Sequence, residues 1–124
     1  DAGDPALAGQ YDLALAIECI HDMPRPVKVL QAMREPVGPG GTVLIVDERV
    51  QDHFTPNGDP GERMMYAFSV LHCLPVGLVE QPSAGTGTVM RREIFRRYAE
   101  SAGFTVIDEL PIAHETFRFY RLTA

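Results

Sequence analysis

The sequence predicts a single α/β domain built on a partly parallel sheet. Two observations carry the prediction. An apolar run at 11–17, an amphipathic helix and a β-branched run at 42–47 follow one another as strand, helix and strand. Two further strand-like runs, 104–110 and 116–122, then lie close enough together to pair antiparallel. A chain of 124 residues, 45% apolar and 23% charged, suits one folded domain and is too rich in apolar residues for disorder.

Tyr11-Asp12-Leu13-Ala14-Leu15-Ala16-Ile17 is too short for a typical helix and reads as a strand covered on both faces. Pro26 suits the first turn of the next element, in which Val27, Leu30, Met33 and Val37 recur at helical spacing. Gly38-Pro39-Gly40-Gly41 ends that helix, and Thr42–Asp47 follows as a strand apolar on both faces. The crossover between two such parallel strands is right-handed. Asp59 followed by Pro60 predicts a helix start, with Met64, Phe68 and Leu71 on one face and Met65 and His72 packed beside it; Pro75 and Gly77 close the helix. Residues 78–90 read as a loop. A helix over 91–102 turns Ile94, Phe95, Tyr98 and Ala102 inward and ends at Gly103.

The charge balance excludes some functions. Eleven basic residues against 17 acidic ones give a net charge of −6, which disfavours nucleic-acid binding. The local run Arg91-Arg92-x-x-x-Arg96-Arg97 reads as the solvated face of a helix. No apolar run approaches the roughly 18 residues of a membrane span, and no secretory signal is visible. Cys19 and Cys73 read as reduced thiols, so a cytoplasmic location is expected. The chain opens at Asp1 without an initiator Met, so the expectation is that something has been removed from its front.

Ligands of open parallel sheets bind beyond the carboxyl ends of the strands. Here those ends carry Glu18-Cys19-Ile20-His21-Asp22 and Asp47-Glu48-Arg49. This acidic rim suits a cationic or hydroxyl-rich ligand, unless the carboxylates only cap helices or face solvent. His21 is the first candidate for a general base, because an ordinary imidazole titrates near ~6.5; it could equally order the loop by a hydrogen bond. Cys19-x-His21 and His72-Cys73 lack the paired spacing of zinc sites, so no metal is expected. Gly85-Thr86-Gly87 has no third glycine and no preceding strand, and is not a dinucleotide fingerprint.

In their order, these pieces resemble class I S-adenosylmethionine-dependent methyltransferases. Tyr11–Pro24 resembles the family's fourth strand and the loop beside the methyl donor. Leu30–Asp47, with its Pro39-Gly40-Gly41 turn, resembles the helix and fifth strand. Arg91–Phe104 resembles the last helix entering the sixth strand, and Phe117–Leu122 the antiparallel seventh. The family's first half, with its G-x-G-x-G turn and ribose-binding acidic residue, has no counterpart, so the expectation is the C-terminal half of a Rossmann-like methyltransferase sheet. The resemblance implies S-adenosylmethionine as cofactor, Asp1 and Ala2 against adenine, and Glu18, Cys19 and Ile20 along the donor's methionine part.

The implied activity is methyl transfer to a small-molecule acceptor, weak or absent in the chain by itself, with His21 as base if the acceptor must lose a proton. Residues 52–90 are longer than the family's connection there and read as a lid or acceptor pocket, in which Phe54, Met64, Met65, Phe68 and Met90 either shape an apolar site or are ordinary core. The fourth strand would lack its usual neighbour, leaving 11–17 as an apolar edge open to a homodimer. A non-catalytic interaction or regulatory module is the alternative, and a thiol enzyme built on Cys19 and His21 a third reading.

Overall fold

The computed structural model describes residues 5–124 of the chain. Strand β1 (Leu13–Ile17), helix α1 (Pro26–Val37) and strand β2 (Thr42–Glu48) form the expected βαβ unit. Helix α2 (Pro60–Phe68) runs through a π-helical turn (Ser69–Cys73) into the short α3 (Leu74–Gly77). Helix α4 (Arg92–Ser101) and strands β3 (Val106–Glu109) and β4 (Phe117–Thr123) complete the order. The sheet reads β1-β2-β4-β3. β1 and β2 are parallel, in register from Leu13 with Thr42 to Ile17 with Val46, and β4 is antiparallel to both β2 and β3. This is the α/β fold class anticipated.

Local chemistry explains the boundaries. Pro26 opens α1, where its missing N–H costs nothing. Gly38, at φ 61°, closes α1 in a conformation that a side chain would strain. The Asp59 side chain accepts from the Glu62 amide at 2.9 Å and caps α2. α1 and α4 cover one face of the sheet. There Leu30, Val43, Ile45, Phe95, Ala99 and Leu122 are fully buried, and the Phe95 ring stacks on Tyr120 at 4.1 Å between centroids.

Two sequence expectations are corrected. β1 is covered on one face only: Ala16 is buried, whereas Leu13, Leu15 and Ile17 are 50, 55 and 57% exposed. Both helices lie on the Ala16 side, and no described residue buries the other face beyond β2. The expected face of the 60–77 segment is also turned. Glu62, Met65, Ser69 and Cys73, spaced as one helical face, point inward, while Met64, Phe68, Leu71 and His72 are exposed.

The two faces should respond differently to mutation. Phe95→Ala should cost about 3–5 kcal/mol in denaturant unfolding, since it empties a sealed, stacked site. Leu15→Ser should cost under about 1 kcal/mol, because its side chain is already in water.

Candidate functional site

β1 and β2 run parallel, so their carboxyl ends meet at one rim. Beyond β1 the chain turns at Glu18, whose φ of 52° is the one positive value among described non-glycine residues. Its amide still donates to Val46 O at 2.9 Å, so the ladder holds the bend in place. A 3₁₀ turn over Ile20–Asp22 then puts Ile20 and His21 into the interior, 0 and 2% exposed.

His21 is held from two sides. Its Nδ1 lies 2.5 Å from Asp47 Oδ1 and 2.9 Å from Glu48 Oε2, and its Nε2 lies 3.2 Å from Asp22 Oδ1. Nδ1 faces both carboxylates, with Asp47 the nearer partner. Asp47 Oδ2 is buried with no donor of its own, and Glu48 Oε2 and Asp22 Oδ1 face only the His21 ring. Burial works against the charged ring, but the hydrogen bonds to Asp47 and Glu48 and their negative charge outweigh it and push the His21 pKa up to about 11. Burial pushes the Glu48 carboxyl above the usual range, with His21 pulling the other way. Burial, then the Asp47 charge, also pushes the Cys19 thiol up, which keeps it protonated and speaks against a thiolate nucleophile.

The loop after α3 seals the back of the cluster. Gly87, at φ 69°, donates from its N–H to His21 O at 3.1 Å, and a Cβ there would sit 2.2 Å from Ser69 Oγ. Gly85-Thr86-Gly87 is therefore a packing device. In front of the cluster lies a cavity of about 260 Å³ lined by Glu18, Glu48, Met64, Met65, Phe68 and Thr88, with Cys73 and Thr116 completing it. Of the five residues expected to shape an apolar site, Met64, Met65 and Phe68 line this cavity; Met90 is core and Phe54 is exposed against Tyr66.

The remaining candidates fall as follows. Glu18 is exposed, Cys19 half-buried and Ile20 buried, all at the rim, while Asp1 and Ala2 lie outside the described residues. His114 accepts from the Thr116 and Phe117 amides and orders the turn into β4. Arg91 pairs with Glu62 and Arg92 with Glu109, so two of the four clustered arginines serve internal ion pairs. Thr88, Thr116, Glu62 and Arg118 were not legible as site residues; each enters the region from a distant element, with no local motif. Two groups, His21–Asp47–Glu48 and His21–Asp22–Cys73, each offer three metal-ligating atoms within 4.8 Å of one another. The 2.5 and 2.9 Å separations of the first are those of charge-assisted hydrogen bonds around a proton.

A pKa raised from 6.5 to about 11 has a definite sign. The pairing stabilises the fold fully below pH 6.5 and is lost as pH rises toward 11, since the folded state binds the extra proton across that window. The His21 ring should still show the imidazolium nitrogen pattern in NMR spectra at pH 8, and Asp47→Asn should bring its titration down into the accessible range.

The sequence matches no protein-family model and no curated protein. Solved structures do resemble it. An O-methyltransferase family protein from Burkholderia thailandensis superposes with a TM-score of 0.63 at 17% identity, over 99% of this chain and 33% of that one. The protein TnmH superposes with a TM-score of 0.69 at 22% identity, over 91% of this chain and 30% of that one. The trans-methyltransferase CalH, solved as a complex with SAH, gives a TM-score of 0.64 at 19% identity, over 99% of this chain and 34% of that one. The fold is that of a part of these methyltransferases, and the chain spans about a third of their length.

Proposed function

We propose that this chain forms the acceptor side of an S-adenosylmethionine-dependent methyltransferase acting on a small molecule. The observation that carries this reading is the buried acidic cluster at the ends of β1 and β2, set against an apolar cavity on a methyltransferase fold. Asp22, Asp47 and Glu48 share one cation, His21, and this excess of carboxylates, with Glu18 at the rim, fits a cationic sulfonium donor. When bound, that donor supplies an electrophilic methyl group. Glu18, Cys19 and Ile20 would flank its methionine part, and Asp1 and Ala2 its adenine.

The chain's own work is then positioning and proton handling. The cavity's methionines and Phe68 offer an apolar wall to an acceptor. His21 stays protonated in this arrangement and has no site for an acceptor proton, which must go to its carboxylate partner. Glu48 faces the cavity, its basicity raised by burial, and His21 fixes its orientation. Glu48 is thus the proposed base, with His21 as its positioning residue, and residues 52–90 the wall that closes over the acceptor.

The codons upstream of Asp1 provide the first test. If they encode strands and a glycine-rich turn, the joined protein should pass labelled methyl from S-adenosylmethionine to a phenol. Glu48→Gln should slow that transfer about 10²–10⁴-fold, the usual worth of a positioned base. No transfer and no donor binding would overturn the reading. The chain by itself should bind S-adenosylmethionine weakly in calorimetry.

A second reading, a non-catalytic interaction module, is favoured by the bare apolar face of β1. β1 also lies at the edge of the sheet, where its unpaired backbone groups invite another strand. On this reading a homodimer pairs through 11–17. Light scattering should then give twice the chain mass, falling to the monomer for Leu15→Arg; a monomeric parent chain counts against it.

A further inference from the structure

The apolar cavity in front of Glu48 has a larger neighbour. A cavity of about 500 Å³ adjoins it, with Met64, Met65 and Thr116 common to both walls. Buried polar atoms without hydrogen-bond partners are rare in folded proteins, and each calls for an explanation. Here they fall at both ends of this double cavity. At the smaller end is Thr88 Oγ1, beside Glu48 Oε2, whose one partner is the His21 ring; at the larger end are Arg118 Nη1 and Glu62 Oε2. All four residues are at least nine-tenths buried, at 9, 2, 5 and 4% exposure respectively. Between the two ends lie the methionine side chains, with Phe68 on the smaller side.

The ion pairs that hold Arg118 and Glu62 are balanced among themselves, with Arg49, Asp59 and Glu115 also on the cavity wall. Arg118 Nε lies 3.3 Å from Glu109 Oε1, Arg92 Nε lies 2.9 Å from Glu109 Oε2 and 3.5 Å from Asp52, and Arg118 Nη2 donates to Val50 O. Glu62 Oε1 is paired with Arg91 at 2.8 Å. What remains open is one donor on Arg118 and one acceptor on Glu62. A ligand anion would leave a surplus negative charge beside Glu62, and a ligand cation a surplus positive one beside Arg118. A neutral group that both accepts and donates meets the two needs without disturbing the balance.

We infer that the double cavity binds one elongated small molecule: a hydroxyl at the Glu48–Thr88 end, an apolar middle, and a neutral accepting-and-donating head, of the primary carboxamide kind, between Arg118 and Glu62. This rests on the methyl-acceptor reading only for what happens to the hydroxyl; the binding itself needs no methyl donor.

The test is binding of three phenols to the protein without methyl donor, followed by NMR. N-acetyltyrosinamide carries the neutral amide head, N-acetyltyrosine a carboxylate, and 4-ethylphenol no head at all. N-acetyltyrosinamide should bind about tenfold or more tighter than 4-ethylphenol, the worth of one to two net hydrogen bonds, and tighter than N-acetyltyrosine. Arg118→Lys keeps the charge but loses the forked donor, and should erase the preference for the amide. Thr88→Val should weaken all three phenols alike. Equal binding of the three, or tightest binding of the acid, overturns the inference. Should Arg118→Lys not fold, the order of the three probes on the parent protein still decides. Amide preference without any methyl transfer would keep this site and remove the acceptor reading instead.

Discussion

The site depends on one buried cation. His21 ties the loop after β1 to the last residues of β2 through Asp47 and Glu48, and the backbone carbonyl of the same histidine anchors the returning loop through Gly87. Three segments distant in sequence thus meet at one ring. Removing one partner of such a pair leaves a charge buried and uncompensated, which is strongly destabilising. The cluster also carries more carboxylates than cations.

Much of the fold was legible because its signals are local. The Val43-Leu44-Ile45-Val46 run, Pro26 at a helix start and the glycine turn after α1 each act within a few residues. The rim was legible for the same reason, since parallel strands bring their carboxyl ends together whatever the loops do. The bare face of β1 was not legible: Leu13, Leu15 and Ile17 are as apolar as buried strand residues, and only the placement of both helices on one side leaves them in water. The inward face of α2 was misread because it carries the polar Glu62 and Ser69 beside Met65, while the more apolar stripe of Met64, Phe68 and Leu71 lies in water. Glu62 and Arg118 looked like surface charges, since burial of a charged residue depends on partners that sequence spacing does not reveal.

The structural neighbours and the geometry speak to different questions. Identities of 15–22% establish a common architecture, and architecture alone hosts many activities. The proposed chemistry rests instead on the acidic cluster, the raised Glu48 carboxyl and the cavity in front of it.

The strand order has a consequence for how the chain acquires its shape. β4 is the last strand in sequence, yet it lies between β2 and β3. Until β4 emerges, β2 and β3 each lack a neighbour, and β3 has no strand to pair with at all. The pairing of β2 with β4 closes a loop of some seventy residues, which favours slow, late consolidation. During synthesis the β1–α1–β2 unit can form early, but the sheet waits for its middle strand. Damage to those final residues should therefore read out as failed maturation of the whole domain.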